Sequence, residues 1–365
     1  MLNSAEDTLF LLLRVAIGAE CADGAVKKFP VEGVSWSKVY EIARKQGVLA
    51  IAFDGLVKIF ERDEEFARTF PLPLKLQWIN ATLTIEKRYN HSRDISAELA
   101  DKWAEQGIKT ACLKGMAFSR YYPVPEHREC GDFDCYLFDD YAKGNSIARA
   151  IGARVEDDFY KHSEIIYKKL MVENHQYIVA TRTSKKVRAF NAMLVSLLHH
   201  KESSSYIQST KILMPSAMFN ALFMTHHSHS HFLSEGIRLR HILDWVLFLR
   251  AEQHNLDWKQ FYTICDQQGL RAFVDVQTAI AKRVFGIEIE CEEVVANSPY
   301  TERVLESIMR DDTAIFSQNV GKWRTRMMLL QNLFALRWKY KAFSDRGVVM
   351  TFVSLVYGFL FHTEE

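Results

Sequence analysis

The stretch that decides the fold occupies residues 128–137 and reads RECGDFDCYL. One residue separates Asp132 from Asp134 within an otherwise apolar run that favours a β-strand. Side chains repeat with a period of two along a strand, so both carboxylates are expected on one face. Two adjacent negative charges require a cation, and Mg²⁺ is commonly held by one or two carboxylates together with substrate phosphates. The stretch therefore indicates a site for a metal-bound nucleotide.

Upstream, the segment LKG at residues 113–115 ends a β-prone run and precedes a helix predicted to begin at Met116. A strand, turn and helix in this order direct backbone N–H groups and the positive end of the helix dipole toward an anion. Gly115 allows close approach of a phosphate, and Lys114 adds a mobile positive charge. A lysine at a strand end is usually only solvated, so this role for Lys114 depends on the neighbouring acidic strand.

Downstream, a β-prone run at residues 170–178 contains Glu173 and His175 on one face. Glu173 offers a third carboxylate on a further strand of a small sheet, and His175 is a candidate to support it. The competing interpretation is that the aspartates only cap a turn, since an isolated Asp-x-Asp is common by chance. The combination with the Lys-Gly turn favours metal ligation.

The periodicity of apolar residues predicts an α+β protein, in which a small mixed β-sheet core is embedded between helical segments. Helical spacing runs to about residue 97, gives way to short β-prone runs, and returns beyond about residue 190. The C-terminal helical domain is the larger of the two helical parts. The predicted parts are an N-terminal helical segment at 1–97, an α/β core at 98–185 and a C-terminal helical domain at 186–365.

Composition limits the partners and the compartment. Lys plus Arg number 46 against 45 for Asp plus Glu, so there is no bulk positive field and no DNA-binding signal. Six cysteines without a Cys-x-x-Cys pair predict a reduced, cytoplasmic protein. Glu6 and Asp7 precede the first apolar run, which argues against a signal peptide. The apolar run at 347–361 is shorter than the ~20 residues of a transmembrane helix, so no transmembrane segment is expected.

A histidine-rich run reading THHSHSH places His227 and His231 one helical turn apart. That spacing suits a metal, but zinc needs three or four ligands, and no Cys or acidic partner lies at helical spacing within the run. The alternatives are a cleft wall for the acceptor or phosphate, a buried hydrogen-bond network, or an exposed polar face. Arg240 and Asp244 have the i,i+4 spacing of an ordinary helix salt bridge, whereas Arg128 and either Arg238 or Arg240 would equally suit bidentate contacts to phosphate.

These segments resemble an uncharacterised bacterial nucleotidyltransferase-like family within the polymerase-β-like nucleotidyltransferase superfamily. The superfamily has a strand, a glycine turn, a helix, an Asp-x-Asp strand and a later strand with a third acid. The closer family has a Leu-Lys-Gly turn, an Asp-Ile-Asp or similar strand and a Val-Glu-x-His strand, and the resemblance covers most of the chain. The matching positions are 113–115, Tyr121, Tyr122, Pro123, Arg128, 131–134, 172–175, His227, His231, Gly236, Arg240 and Asp244.

The resemblance implies that Asp132 and Asp134 bind two Mg²⁺ ions, with Glu173 completing the site and helping to activate an acceptor hydroxyl. It implies transfer of a nucleotidyl group from an NTP to an unknown acceptor, which is a small molecule, a protein or RNA. The candidate nucleotide- and phosphate-binding residues are Lys114, Gly115, Arg128, His175, His227, His231 and Arg240.

The turn departs from the superfamily pattern, because Met116 stands where a serine usually follows the glycine. Lys114 either replaces the serine contact, or the chain binds a different phosphate compound or has lost turnover. Two further functions therefore remain open. One is a catalytically degenerate nucleotide-binding or interaction module on the same fold, and the other is metal-dependent phosphohydrolysis with water as the acceptor.

Overall fold

The computed structural model contains one mixed β-sheet flanked by helices, which confirms the α+β prediction. Within the described ranges, no helix has both the length and the hydropathy needed to cross a membrane. The apolar run at 347–361 lies outside the described residues. The described residues are 4–26, 33–181, 184–199, 205–207, 209–289, 291, 298–310 and 336–345.

Helices make up most of the described chain, and most of them bury one face against a common core. The longest helix, α6, contains 33 residues, and its Trp103 donates an indole N–H to the carbonyl oxygen of Gly144 at 3.1 Å. This bond attaches α6 to α8. The helices are α1 (Ser4–Ala16), α2 (Ala22–Val26), α3 (Trp36–Lys45), α4 (Leu49–Phe60), α5 (Glu64–Thr69), α6 (Leu72–Ala104), α7 (Met116–Ser119), α8 (Tyr141–Ala150), α9 (Lys185–His199), α10 (Ala217–Ser234), α11 (Leu239–Glu252), α12 (Trp258–Gln268), α13 (Arg271–Phe285), α14 (Thr301–Arg310) and α15 (Arg337–Phe343).

The sheet has the strand order β3-β4-β5-β2-β1-β7-β6. Strand β2 lies at its centre, antiparallel to β1 and parallel to β5. In the register of β2 with β5, Asp134 is directly opposite Glu173. Pairing of these two strands therefore places the acids side by side. The strands are β1 (Thr110–Cys112), β2 (Phe133–Tyr136), β3 (Arg154–Glu156), β4 (His162–Tyr167), β5 (Leu170–His175), β6 (Ser205–Tyr206) and β7 (Ile212–Met214).

Strands β6 and β7 correct the expectation that only helices follow residue 190. Strand β7 pairs parallel to β1, and β6 pairs antiparallel to β7, so the sheet extends past residue 185. Strands of two and three residues are too short to show a period of two in the sequence. Helix α6 also continues through residue 97. The three-part division of the chain stays a prediction.

The start of α11 is held by the buried side chain of Gln46, which is 2 % exposed. Its Oε1 accepts the backbone N–H of Leu239 at 2.7 Å, and its Nε2 donates to the carbonyl oxygen of Ile308 at 2.9 Å. The backbone oxygen of Gln46 accepts the N–H of Arg240 at 3.2 Å. The bonds to Leu239 and Arg240 satisfy helix N–H groups that lack an intrahelical partner. Together with the bond to Ile308, they fix the end of α11 that carries Arg240 and Asp244.

A second anchor is His127, which lies in the short helical turn Pro125–His127 before the acidic strand. Its Nδ1 lies 2.8 Å from Oδ2 of Asp54 on α4, and its Nε2 lies 2.9 Å from Oε1 of Glu86 on α6. Burial lowers the pKa of His127, but the bonds to Asp54 and Glu86 outweigh burial and raise it above the ordinary value. The imidazolium therefore joins two helices to the segment that leads into β2.

This arrangement predicts a pH dependence of stability. The pKa of His127 is higher in the folded than in the unfolded protein, so its contribution is complete below about pH 6.5 and is lost as the pH rises through the folded pKa. Urea unfolding from pH 6 to pH 9 is expected to show a declining free energy of unfolding in the wild type. The decline should be smaller in His127→Gln, and equal slopes for the two proteins would contradict the assignment.

Candidate functional site

Three carboxylates meet on one face of the sheet, near its centre. Asp132 directly precedes β2, Asp134 lies within it, and Glu173 comes from the adjacent β5. One oxygen from each side chain lies within 4.8 Å of the others. Asp134 is 1 % exposed, and its Oδ2 is buried without a hydrogen-bond partner among the described residues. A cation at this point would satisfy that oxygen, so the acids form a candidate metal centre.

Lys114 follows β1 and its ammonium group lies between the acids. Its Nζ is 2.9 Å from Oδ1 of Asp134 and 3.6 Å from Oδ2 of Asp132. Burial lowers the pKa of Lys114, but the negative charges of Asp134, Asp132 and Glu173 outweigh burial and raise it. Lys114 is therefore cationic at neutral pH and compensates part of the clustered negative charge.

His175 supports two of the acids from the end of β5. Its Nε2 lies 3.3 Å from Oδ1 of Asp134 and 3.3 Å from Oε2 of Glu173. Burial raises the pKa of Glu173, but the bond with His175 and the charge of Lys114 dominate and lower it to about 2. Glu173 is thus ionised throughout the physiological range, as a metal ligand must be.

The Lys-Gly turn has a conformation that favours glycine. Gly115 has φ 63° and ψ −107°, which L side chains rarely adopt, and it precedes the single helical turn α7. A Cβ there would have room, since the nearest heavy atom among the described residues is the carbonyl oxygen of Asp132 at 3.6 Å. The demand for glycine therefore comes from the backbone angles rather than from crowding.

We expect Gly115→Ala to destabilise the protein by about 1–3 kcal/mol and to displace Lys114 from the acids. Gly131→Ala is the matched control, because Gly131 has negative φ and no described atom lies within 4 Å of the position that its new methyl group would take. The control should have unchanged or slightly increased stability. Chemical denaturation of both variants measures the difference, and equal stabilities would contradict the strain at Gly115.

Asp132 and Asp134 border a cavity of about 60 Å³, whereas Glu173 and His175 are not among its lining residues. Small-molecule sites are typically about 300–1,000 Å³, so a nucleotide enters only if side chains move. Residues that the sequence analysis had not selected also line it, among them Phe118, Cys130, Met224, Ser228 and His241. The candidate residues that line it are Lys114, Gly115, Arg128, Asp132, Asp134, His227 and Arg240.

Comparison with known families decides the classification. The model of a family described as uncharacterised nucleotidyltransferase matches residues 32–286, which is more than half of the chain. The chain belongs to this family. The resemblance noted in the sequence is thereby confirmed, and the family assignment supports nucleotidyl transfer as the general activity. No curated protein and no solved structure matches the chain.

Within this family member, Arg128 is engaged by a buried carboxylate. Its Nε and Nη2 donate to the two oxygens of Asp244, each at 2.8 Å, and Asp244 also accepts the hydroxyl of Tyr122 at 2.9 Å. Arg128 and Asp244 are 6 % and 3 % exposed. Asp244 therefore pairs across the fold with Arg128 rather than with Arg240 one helical turn away. In this arrangement Arg128 holds the cavity wall together and does not offer both of its donors to a ligand.

Arg240 is differently placed. Its Nη1 donates to the backbone oxygen of Glu129, while its Nε is buried and has no hydrogen-bond partner within the part of the chain that the structure describes. Arg240 is also among the residues that line the cavity.

His227 on the histidine-rich helix α10 and His241 on α11 contribute imidazole rings to the cavity wall. Ring centroids of His227 and His231 lie 4.3 Å apart, and each lies 6.3 Å from His241. Burial lowers the pKa of His227 well below its ordinary value and that of His241 to about 3. His231 pairs with Glu235 and is not among the residues that line the cavity. Neither His227 nor His231 belongs to the potential metal-binding groups found in the described ranges.

Sequence reasoning missed Lys161 and His241. Burial lowers the pKa of Lys161, while the charges of Glu173 and Asp134 oppose this effect, so its ammonium group lies within the field of the acids. Lys161 directly precedes β4, and His241 directly follows Arg240. Neither position belongs to a sequence pattern that signals a site.

Proposed function

We propose that this protein is an Mg²⁺-dependent nucleotidyltransferase that transfers a nucleotidyl group from an NTP to an acceptor. The observation that carries the proposal is the convergence of Asp132, Asp134 and Glu173 next to Lys114 in a chain of this family. Carboxylate oxygens are the hard ligands that Mg²⁺ prefers. The unpartnered Oδ2 of Asp134 fits a cation held there.

The side chains have separable roles in this proposal. Asp132, Asp134 and Glu173 would hold Mg²⁺, two ions by the family resemblance. When bound, Mg²⁺ neutralises charge on the transferred phosphoryl group and on the departing pyrophosphate. Glu173 suits a ligand better than a proton acceptor, because a base with a pKa of about 2 is weak at neutral pH.

Several donors surround the acids. His175 orients Asp134 and Glu173 through its Nε2. Positive charge and N–H groups for phosphate oxygens would come from Lys114, Lys161 and the Nε of Arg240. None of these groups acts as a covalent nucleophile in the proposal. Positioning and charge neutralisation are the main protein contributions to phosphoryl transfer.

We place the nucleotide between the core at 98–185 and the helical part at 186–365, with the segment at 1–97 as a support through His127. His227 and Arg240 face the acids across the cavity in support of this placement. The acceptor is a small molecule, a protein or RNA. All six cysteines are free thiols, which supports a reducing, cytoplasmic location.

A degenerate nucleotide-binding module is the second candidate. Two observations favour it, namely the Lys114 ammonium on the acids and the cavity of about 60 Å³. Such a module would bind nucleotide without releasing pyrophosphate. Retention of three clustered carboxylates favours the enzyme, because clustered carboxylates without a cation are costly to bury.

Isothermal titration of ATP, GTP, CTP and UTP, with and without Mg²⁺, tests the proposal. We expect one or more nucleotides to bind only with Mg²⁺, and pyrophosphate to be released in an acceptor screen with that nucleotide. Binding without pyrophosphate release would favour the degenerate module. Release of inorganic phosphate or nucleoside monophosphate with water alone would indicate phosphohydrolysis, and absence of binding to a folded protein would contradict all three functions.

A further inference from the structure

A second group of possible metal ligands lies beside the carboxylates and includes two imidazoles. His162 on β4 is the cross-strand neighbour of His175 on β5, and Glu173 precedes His175 by two residues. All three side chains therefore lie on the same face of the sheet. One ligand atom from each lies within 4.8 Å of the others. The sequence analysis selected His175 and Glu173 but gave no role to His162.

The separations of the ligand atoms suit one small cation. His175 Nε2 lies 3.3 Å from Oε2 of Glu173, and His162 Nε2 lies 4.0 Å from Oε1 of the same side chain. Donors held about 2.0–2.2 Å from a transition metal are about 3–4 Å from one another. The 4.0 Å gap is too long for a hydrogen bond but is within this range. The two oxygens of Glu173 thus face different imidazoles.

The orientation of His175 leaves one nitrogen for the group. Its Nδ1 lies 3.2 Å from the backbone oxygen of Tyr177, which is the partner that fixes an Nδ1–H tautomer. In the neutral form of that tautomer Nε2 presents its lone pair toward Oε2 of Glu173 and Oδ1 of Asp134, whereas in the imidazolium it donates to them, so metal binding here would displace the Nε2 proton. A lone pair facing two carboxylates needs a cation between them. Metal-binding histidines are characteristically held in this way by a carbonyl on the other ring nitrogen.

His162 lies on the other side of Glu173 and, among the described residues, lacks the carbonyl partner that His175 has. Its Nδ1 is buried and has no hydrogen-bond partner in the described ranges. Its ring centroid lies 5.3 Å from that of His175, with the planes inclined at 37°. The tilted rings do not stack, and the Nε2 of each ring lies within 4.0 Å of an oxygen of Glu173.

We propose that His162, Glu173 and His175 bind a first-row divalent transition metal ion, adjacent to the carboxylate site for Mg²⁺. Imidazole nitrogens favour such ions, whereas Mg²⁺ prefers oxygen ligands and keeps most of its waters. Glu173 is shared by the two groups. The inference goes beyond the proposed function, because the ion would bind whether or not a nucleotide is transferred.

Titration of Co²⁺ and of Mg²⁺ into the full-length, metal-stripped, nucleotide-free protein tests this inference. Visible absorption reports Co²⁺ ligation by nitrogen, and calorimetry gives the affinity for each ion. We expect Co²⁺ to bind at least about 10-fold more tightly than Mg²⁺. His162→Gln should weaken Co²⁺ binding by about 10–100-fold and leave Mg²⁺ binding in place. His254→Gln, at an exposed histidine outside the group, is the matched control and should change neither affinity.

Equal affinities for Co²⁺ and Mg²⁺, or unchanged Co²⁺ binding in His162→Gln, would overturn the inference and leave His175 as an imidazolium that pairs with Asp134 and Glu173. Circular dichroism of His162→Gln checks its folding, and His162→Asn provides a second replacement if the first is unfolded. Mg²⁺-dependent nucleotide binding by the wild type reports separately on the proposed function. Co²⁺ binding without any nucleotide binding would contradict the nucleotidyltransferase and support the metal site.

Discussion

Replacement of both Asp132 and Asp134 by asparagine is expected to abolish Mg²⁺-dependent nucleotide binding while the chain stays folded. Changes to residues that only support a metal ligand typically cost about 10–100-fold in affinity, so loss of two direct ligands should cost more than about 100-fold. Asparagine preserves the shape of each side chain and removes its charge. Calorimetry with the best-binding NTP, and circular dichroism on the same sample, measure the two outcomes.

The matched control is the double variant Asp139→Asn/Asp140→Asn, which makes the same charge change in the short helical turn after β2. It should bind Mg²⁺-nucleotide as the wild type does. If the Asp132/Asp134 variant instead unfolds, the acids serve the fold by compensating Lys114, whose Nζ lies 2.9 Å from Asp134. If it binds nucleotide normally, the metal assignment fails.

Arg128→Ala is expected to lower the free energy of unfolding by about 3–5 kcal/mol. The substitution leaves the carboxylate of Asp244 buried without the guanidinium that donates to both of its oxygens. An unpaired buried charge is one of the costliest single changes in a protein. Urea unfolding followed by tryptophan fluorescence measures the loss.

Two controls separate a buried ion pair from a general effect of removing arginine. Arg149→Ala breaks an ion pair of 2.7 Å with Asp157 at the surface and should cost no more than about 1 kcal/mol. Arg128→Met/Asp244→Leu removes both charges and should recover most of the loss, because apolar replacements of a buried pair are often tolerated. If Arg128→Ala and Arg149→Ala have the same stability, Arg128 is not a structural residue.

The proximity of the three acids was predictable because it depends on local spacing. A period of two places Asp132 with Asp134 on one strand and Glu173 with His175 on another, whichever strands become neighbours. Only the pairing of β2 with β5 had to be added, and a small sheet allows few alternatives. For Gly115, by contrast, the sequence predicted only the close approach of a phosphate, and the positive φ of this residue is a further reason for glycine that the structure adds.

Tertiary partners were not predictable in the same way. Arg240 has helical spacing to Asp244, yet the carboxylate pairs with Arg128, 116 positions away along the chain. Both arginines are chemically equivalent partners, so only the tertiary packing that brings Arg128 to Asp244 decides between them. Lys161 and His241 were overlooked for a similar reason, because nothing in their own neighbourhood distinguishes them from surface residues.

The ion pair between Lys114 and the acids affects the affinity of the site for its ligands. A divalent ion and the ammonium group of Lys114 would compete for Asp134. Metal binding is therefore more favourable when the ammonium group can pair with another anion instead. Under the proposed function, the triphosphate of the NTP would provide that anion. The affinities for metal and nucleotide are then coupled, and by reciprocity each ligand strengthens the other by the same factor. A titration with metal alone or with nucleotide alone would therefore underestimate the affinity with which the two ligands bind together.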